Sequence, residues 1–370
     1  MLEIRDLSAR AGSFVLRNVS LSILPSSCHV ILGPTGSGKT LLLESVIGLR
    51  KPDRGKIFVN GDEITLLPME KRRLSYVPQD LALFPHMTVR ENILYAKRIK
   101  GMRPNTENGV AKELIDSLGI EPLLDRRIRN LSGGERQRTA LARAIVSGCK
   151  YLVLDEPLSA LHESLKRELW YLLKDLQGRY ELATLMVTHD LEEAFFLGDT
   201  ISIIIDGRVH QQGTKREIYG CPQSMEVAKF LGIGNLFRAR IDRVSGGSLS
   251  VRCEDLGANL NVSNDGKKWR VTDDNECILG IRSEDVDILP SVELPPSGAN
   301  TVGGIVGSIL ETGASFTIVA TTGTGSKTVE IAASRSIVNR LNLAIGQTIL
   351  MNLPAEHLFL IDANSRNTVA

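Results

Sequence analysis

The sequence predicts an α/β domain with a phosphate-binding loop, followed by a smaller all-β domain. Three observations support this prediction. Over roughly the first 234 residues, apolar runs typical of buried strands alternate with amphipathic stretches typical of helices. One strand–helix junction is rich in glycine, as expected of a loop that wraps phosphate groups. From about residue 235 onwards, short strand-like runs are separated by Gly, Asn, Asp and Ser.

The composition fits two domains and excludes several classes of protein. With 370 residues, the chain exceeds the length at which single cores usually divide. Its net charge of +1 and dispersed basic residues predict no nucleic-acid partner. The five cysteines show no Cys-x-x-Cys spacing, which argues against a zinc site or a disulfide framework. We expect a cytoplasmic protein, because no signal peptide and no membrane-spanning apolar run is visible.

The glycine-rich junction is the first candidate site. It reads Gly33, Pro34, Thr35, Gly36, Ser37, Gly38, Lys39 and Thr40. An apolar strand-like run precedes it at 30–32, and a helix-like run follows at 41–46, which is the context of a Walker A loop. Backbone N–H groups would bind phosphate, Lys39 would neutralise the β/γ-phosphate charge, and the Thr40 hydroxyl would bind Mg²⁺. The segment predicts an ATP site with Mg²⁺ as cofactor.

A second phosphate-handling segment lies at 131–135, with the sequence Leu-Ser-Gly-Gly-Glu. Ser132 is placed as the N-cap of an amphipathic helix that runs to Val146, and such helix ends bind anions. One nucleotide cannot easily use two such distant helix ends within a single compact site. In a head-to-tail homodimer, however, Ser132 of each subunit closes over Lys39 of the other. The pair of segments therefore predicts a dimer held together by ATP.

With these two segments in this order, the chain resembles the ATP-binding cassette (ABC) family, whose signature is the Leu-Ser-Gly-Gly segment. The resemblance covers roughly residues 1–235. It implies a P-loop NTPase fold, with a RecA-like core plus an antiparallel β subdomain and a helical subdomain at about 83–130. The nucleotide-binding domain would span 1–234, and the second domain 235–370.

The resemblance assigns a role to two carboxylates, Asp155 and Glu156, at the end of the strand-like run that begins at Tyr151. In the family's Walker B segment, the position of Asp155 binds Mg²⁺, and Glu156 acts as the base on the attacking water. The alternative is that both are solvated acids at a strand end. The apolar strand and the upstream phosphate loop favour the catalytic interpretation.

Three further positions match motifs of the family. Gln79 matches the Q-loop glutamine, which contacts Mg²⁺ and the attacking water. His189 follows the strand-like run 185–188 and matches the switch histidine, which hydrogen-bonds the γ-phosphate. Phe14 lies where the family stacks an aromatic ring on adenine, with ordinary core packing as the alternative. These matches make Lys39, Gln79, Glu156 and His189 the catalytic candidates.

One position departs from the family pattern. After the Walker B segment the family usually reads Ser-Ala-Leu-Asp, whereas this chain has His162 in place of the Asp. That Asp helps to tie one subunit's D-loop to the other's phosphate loop, so a titratable side chain would alter communication between sites. The alternative is that the loop backbone, with Ser159, makes the essential contact.

The region after Gln79 resembles importers within the family. The segment 83–93 is similar to the importer surface that receives a coupling helix from the membrane protein. This resemblance implies a two-subunit transmembrane permease as partner, an extracytoplasmic solute-binding protein, and a location at the cytoplasmic face of the membrane. The competing class is a non-transport ABC ATPase acting on nucleic acid or the ribosome. The insert is too short for the coiled coils of recombination-type relatives.

The tail resembles the tandem oligosaccharide-binding-like (TOBE) barrels that importer ATPases use for dimerisation or regulation. Its strand-like runs lie at 237–244, 248–253 and 277–281, and the segments 280–289 and 351–361 are similar to each other. The similarity predicts that each half ends in a comparable strand. Aromatic residues are scarce, so the tail offers no stacking platform for nucleic acid.

The solute cannot be derived from the ATPase motifs, because importers of this kind share them. Overall likeness favours molybdate or tungstate, with sulfate, ferric iron, polyamine or sugar as alternatives. Ser334, Arg335 and Ser336 lie near the hydroxyl-bearing segment of a molybdate-binding barrel. Where that barrel has a Lys, this chain has the segment 353–356, which contains none. A regulatory oxyanion site and a purely structural barrel both stay open.

Overall fold

The protein is described here by a computed structural model, and it divides into two compact units, Met1–Lys215 and Arg216–Ala370. The described residues are 1–99, 101, 109–159, 161–245, 247–263, 275–290, 300–313, 315–323 and 327–362. The domain boundary at 234/235 and the helical subdomain at 83–130 stay predictions.

The described residues of the first unit alternate between strands and helices, as the sequence predicts. Its strands are β1 (Leu2–Ala11), β2 (Phe14–Ile23), β3 (Cys28–Leu32), β4 (Arg54–Val59), β5 (Asp62–Glu63), β6 (Leu74–Val77), β7 (Tyr151–Asp155), β8 (Ala183–Thr188), β9 (Thr200–Ile205) and β10 (Arg208–Thr214). Its helices are α1 (Lys39–Ile47), α2 (Val89–Ile99), α3 (Val110–Ser117), α4 (Gly133–Val146), α5 (Glu163–Tyr180) and α6 (Leu191–Leu197).

The central sheet has the strand order β10-β9-β3-β8-β7-β6, and only the edge pair β10–β9 is antiparallel. Every residue of β3, β7 and β8 is buried, which is why these strands read as continuous apolar runs. The predicted strands at 30–32, 151–155 and 185–188 are confirmed, as is the helix after the phosphate loop.

The parallel strands bring the candidate motifs to one edge of this sheet. The phosphate loop follows β3, Gln79 follows β6, Glu156 follows β7 and His189 follows β8. Because the carboxyl ends of parallel strands share an edge, residues far apart in sequence meet there.

A second sheet, ordered β2-β1-β4-β5, is antiparallel and shares a core with the central sheet and α1. Helix α4 contacts both α2 and α3. Helices α2 and α3 both lie between Gln79 and Ser132 in the sequence. Within the part of the chain that is described, none of the helices combines the length and apolar character needed to cross a membrane.

A buried histidine in the central sheet makes folding sensitive to acid. His29 on β3 is fully buried, with its Nε2 atom 2.8 Å from the Ser202 hydroxyl and its Nδ1 atom 2.8 Å from the Thr200 hydroxyl. Burial lowers the pKa of His29 to about 4, so the folded protein keeps the ring neutral. The unfolded chain binds a proton as the pH falls through 6.5, whereas the folded chain does so only near 4. The free energy of unfolding therefore falls as the pH is lowered across this window.

We expect His29 to lower the free energy of unfolding by about 3 kcal/mol between neutral pH and pH 4. The slope of this loss is at most ~1.4 kcal/mol per pH unit. The measurement is chemical unfolding from pH 4 to 7 of the wild type and His29→Gln, which keeps hydrogen-bonding atoms but does not titrate. The wild type should lose stability more steeply towards low pH. Subtracting the two pH profiles removes the contributions of the other titratable groups. One of these is Glu193, whose raised pKa stabilises the folded state as the pH falls. Parallel pH profiles for the two proteins would contradict the assignment.

The second unit is mainly β structure with short helices. Its strands are β11 (Asn235–Ser245), β12 (Ser248–Cys253), β13 (Ala258–Ser263), β14 (Glu276–Ile281), β15 (Asp287–Leu289), β16 (Thr301–Thr312), β17 (Ser315–Thr322), β18 (Thr328–Ser334), β19 (Thr348–Asn352) and β20 (Phe359–Asp362). Its helices are α7 (Lys215–Gly220), whose first residue belongs to the first unit, α8 (Met225–Phe230) and α9 (Arg335–Arg340).

These strands form two antiparallel sheets around one apolar core, in the orders β13-β12-β11-β14-β20 and β15-β19-β16-β17-β18. The two similar segments are both strand–turn–strand units, β14–β15 and β19–β20. Their last strands are exchanged: β15 pairs with β19 in the second sheet, and β20 pairs with β14 in the first. The exchange joins the two halves into one folded unit.

Candidate functional site

The phosphate loop folds tightly around its own lysine. Lys39 is 5% exposed, and its ammonium donates hydrogen bonds to the carbonyls of Gly33 (2.8 Å) and Pro34 (2.9 Å). Burial lowers the pKa of Lys39, while the charges of Glu156 and Asp155 act to raise it. The lysine is thus held inside the loop, where the charges of two carboxylates stabilise its ammonium form.

Two glycines of the loop lie where a side chain would clash with neighbouring atoms. A Cβ atom on Gly33 would lie 2.1 Å from the carbonyl oxygen of Ile204. Gly38 has φ +98°, and its Cβ would lie 2.6 Å from the Phe14 ring. The backbone therefore approaches its neighbours closely at both positions, as the predicted phosphate cradle requires. Pro34, Thr35, Gly36 and Thr40 are exposed, and Ser37 is buried.

Phe14 opens β2 and is partly buried against the core of the two sheets and α1. Its ring faces Gly38, so it lies beside the phosphate loop. This placement agrees with either of the two interpretations that the sequence leaves open. Stacking of Phe14 on adenine stays a prediction.

Glu156, Gln79 and His189 meet at the carboxyl edge of the central sheet. One carboxylate oxygen of Glu156 (Oε1) lies 3.2 Å from Nδ1 of His189, and the other (Oε2) lies 3.4 Å from Nε2 of Gln79. Glu156 has φ +43°, and its N–H donates to the carbonyl of Val187 (2.9 Å). The left-handed backbone of a non-glycine residue is strained, and such strain is common at functional sites. The backbone therefore aims this carboxylate at the other two side chains.

Asp155 precedes Glu156 and is 4% exposed. The Tyr76 hydroxyl lies 3.4 Å from its Oδ2 atom, and its buried Oδ1 atom has no hydrogen-bond partner among the described residues. Burial, followed by the charge of Glu156, raises the pKa of Asp155. A divalent cation would satisfy the free oxygen and reverse this shift, since carboxylate oxygens are preferred ligands of Mg²⁺. Asp155 therefore has the donor chemistry that a Mg²⁺ ligand needs.

Ser132 is the N-cap of α4, as predicted. Its Oγ atom accepts from the N–H of Glu135 (3.3 Å), and its own N–H donates to the Glu135 carboxylate (2.7 Å), which together form a capping box. These hydrogen bonds lie within the segment that begins α4. A meeting of Ser132 with Lys39 of a second copy stays a prediction.

A buried network beneath His189 was missed by the sequence analysis. The Thr188 hydroxyl donates to the carboxylate of Glu193, which is 3% exposed, and accepts from the N–H of Asp190 (3.0 Å). Burial is the main cause that raises the pKa of Glu193 to about 7. Asp190 caps α6 by accepting from the N–H of Glu193. The Asp-x-x-Glu spacing at a helix start is a sequence signal that could have revealed this contact between Asp190 and Glu193. The network fixes the backbone on both sides of the histidine.

The segment after Glu156 includes the departure from the family pattern. The Ser159 hydroxyl donates to the carbonyl of Glu156 (3.1 Å), while Nδ1 of His162 lies 3.4 Å from the Ser164 hydroxyl. His162 immediately precedes α5 and is exposed. The Ser159 contact lies within one chain, so both interpretations of this segment stay open. The effect of His162 on communication between sites stays a prediction.

In the second unit, the candidate oxyanion segment lies at the junction of β18 and α9. The hydroxyls of Ser334 and Ser336 lie 2.8 Å from each other, and the Arg335 guanidinium pairs with Glu311 and covers the Phe316 ring. The segment 353–356 is bonded through its backbone, since Leu353 donates to Asn300 and Ala355 accepts from Ser263. These contacts explain the local fold, and oxyanion binding here stays a prediction.

Comparisons with known proteins agree with the geometry of the first unit. A model of the ABC transporter family matches residues 16–159. The molybdate/tungstate import ATP-binding protein WtpC of Pyrococcus horikoshii is 40% identical over 288 residues, which cover 78% of this chain and 79% of the relative. The spermidine/putrescine import ATP-binding protein PotA of Spiroplasma citri is 35% identical over 295 residues, covering 78% and 81%.

Among solved structures, a dimeric bacterial ABC transporter cassette matches with a TM-score of 0.51 and 27% identity. The match covers 58% of this chain and 99% of that structure. The similarity to this single cassette therefore concerns about three-fifths of the chain, and the two other relatives match a larger share of it.

Proposed function

The chain belongs to the ABC transporter family, and on that premise we propose that it is the ATP-hydrolysing motor of an importer for molybdate or tungstate. The observation that carries the motor assignment is the meeting of Glu156 with His189 and Gln79 at the carboxyl edge of the sheet, beside the loop that holds Lys39. A carboxylate base, hydrogen-bonding side chains and a phosphate loop are the parts that ATP hydrolysis needs.

In the proposed reaction, the triphosphate of ATP lies in the loop 33–40, where backbone N–H groups and Lys39 bind it. Glu156 accepts a proton from water, the water oxygen forms a bond to the γ-phosphorus, and the bond to the β–γ bridging oxygen breaks. The products are ADP and inorganic phosphate. His189 donates a hydrogen bond to the γ-phosphate, and Gln79 orients the water. Negative charge that develops on the phosphate is stabilised by groups already in place.

Asp155 and the Thr40 hydroxyl would hold Mg²⁺, which neutralises phosphate charge when it is bound. The unpartnered, buried oxygen of Asp155 supports this assignment. Thr40 is exposed at the start of α1, where its hydroxyl is accessible to a ligand.

We further propose that two copies assemble head to tail, with Ser132 of each copy completing the site of the other. Small anions are favoured at helix N-termini, and Ser132 stands at the N-terminus of α4. The dimeric form of the structurally similar cassette supports this arrangement. The dimer would drive a two-subunit permease from the cytoplasmic face of the membrane, supplied by an extracytoplasmic solute-binding protein.

The cargo is tested by uptake in cells that carry either the wild type or Glu156→Gln. Radiolabelled molybdate and tungstate are the expected cargo, and spermidine is the control because a polyamine importer subunit is also similar to the chain. We expect the variant to reduce molybdate or tungstate uptake at least about tenfold, since loss of a general base slows catalysis by ~10²–10⁴. Spermidine uptake should be unchanged. The reverse pattern would replace the proposed cargo by a polyamine and leave the ATPase assignment intact.

A further inference from the structure

The segment after Gln79 contains an unusual backbone turn. Leu81 and Ala82, which we call the 81–82 turn, both have left-handed backbone, with φ of +64° and +42°. Two consecutive non-glycine residues in this region are disfavoured, because Cβ comes too close to the backbone carbonyl oxygen. Such a conformation persists only where the surroundings hold it.

The surroundings are provided by the last turn of α4. The Arg143 guanidinium donates one hydrogen bond to the carbonyl of Ala82 and one to that of Leu81, each 2.7 Å long. Its Cζ atom also lies 5.6 Å from the centroid of the Phe84 ring. The planar fork of an arginine can reach two adjacent carbonyls at once, which the single ammonium of a lysine does less well. Arg143 therefore holds both residues of the turn.

Helix α4 also contacts the segment that precedes Gln79 in the sequence. The hydroxyl of Ser75, on β6, donates to the carbonyl of Ala144 (2.8 Å). Gln79 thus lies between two attachments to the same helical turn, one before it in sequence and one after it. The other end of α4, at the capping box of Ser132, is about 17 Å away along the helix axis.

We infer that Arg143 is a positioning residue of the ATP site: through the 81–82 turn, it couples the placement of Gln79 to the helix that begins at Ser132. The inference deepens the proposed function and rests on it. When a second copy's nucleotide engages the start of α4, a movement of this helix is transmitted to the glutamine that contacts Glu156. The arginine itself is not required to touch ATP.

The first test compares Arg143→Met with Arg138→Met in the full-length chain. Arg138 is a matched control on the same helix, since it donates to the carbonyl of Leu118 (3.2 Å) and pairs with Glu168. We expect Arg143→Met to lower kcat for ATP about tenfold with KM within ~2-fold, because a misplaced group affects the transition state more than binding. Arg138→Met should change neither value by more than ~2-fold. Equal losses in both variants, or wild-type kcat in Arg143→Met, would overturn the inference.

Amide hydrogen exchange separates positioning from a general loss of stability. The N–H of Leu81 donates to the carbonyl of Pro78 (2.9 Å), so its exchange reports on the turn. In Arg143→Met this amide should exchange at least about tenfold faster, with an unchanged melting temperature. If Arg143→Met does not fold, Arg143→Lys takes its place in every measurement. Wild-type exchange and wild-type kcat in the lysine variant would overturn the inference.

A rescue experiment tests the backbone argument directly. Glycine adopts positive φ without the penalty of a Cβ atom, so Ala82→Gly should restore the turn when Arg143 is lost. We expect the double variant to recover kcat at least about threefold over Arg143→Met, while Ala82→Gly alone changes kcat by less than ~2-fold. No recovery would overturn the inference. A wild-type chain that does not hydrolyse ATP would instead defeat the proposed function, so the two failures are distinguishable.

Discussion

Replacing Glu156 with Gln is expected to lower kcat for ATP about 10³-fold and to leave nucleotide binding nearly unchanged. The amide has the shape of the carboxylate and can still contact the side chains that lie 3.2 Å and 3.4 Å from it, but it cannot accept a proton from water. Hydrolysis should therefore stop after ATP has bound. The measurements are phosphate release at saturating ATP, and size-exclusion chromatography with ATP and Mg²⁺, in which the variant should accumulate as a dimer.

Glu168→Gln is the control for this change. Glu168 is an exposed carboxylate on α5 that pairs with Arg138, so the same removal of charge should leave kcat within ~2-fold of the wild type. Steady-state hydrolysis by Glu156→Gln near the wild-type rate would disprove the assignment of Glu156 as base. Slow hydrolysis without accumulation of a dimer would keep that assignment and count against the head-to-tail assembly.

The second large effect is expected for Lys39→Met, which should weaken ATP binding about 10²-fold. The lysine ammonium lies inside the loop and faces the position where phosphate charge is expected, and methionine keeps much of the side-chain volume without the charge. Hydrogen bonds to charged groups contribute more than neutral ones when they are removed from water. The measurement is a calorimetric titration with ATP in the presence of Mg²⁺.

Lys150→Met is the matched control for the loop lysine. Lys150 precedes β7 at the opposite end of the strand from Asp155, and it donates to the carbonyl of Tyr180 (3.0 Å). Its loss should leave the affinity for ATP within ~2-fold. Unchanged binding by Lys39→Met would mean that the backbone of the loop alone accounts for nucleotide affinity.

Much of the local structure was accessible from the sequence, because it depends on neighbouring residues. The apolar run 151–154 predicts a strand buried on both faces, and β7 is buried throughout. Ser132 at the start of an amphipathic stretch predicts a helix N-cap, and the structure has this cap within a complete capping box. The strands at 248–253 and 277–281 follow in the same way from short apolar runs between turn residues.

The sequence was less informative where a contact joins distant segments. It predicted similar strands at the ends of the two halves of the tail, but the exchange of β15 and β20 between the sheets depends on strand pairing across more than 60 residues. The link from Arg143 to the 81–82 turn was missed for the same reason. Both features depend on contacts between distant segments, which no local pattern encodes.

By itself, the sequence determined the order of strands and helices, the phosphate loop, the capped helix and the residue types available for chemistry. The tertiary structure decided which of these residues meet. Gln79, Glu156 and His189 are separated by 77 and 33 positions along the chain, yet they converge because β6, β7 and β8 lie side by side and run in parallel. The pKa values of Asp155 and Glu193 were likewise decided by burial, which depends on the complete folded environment.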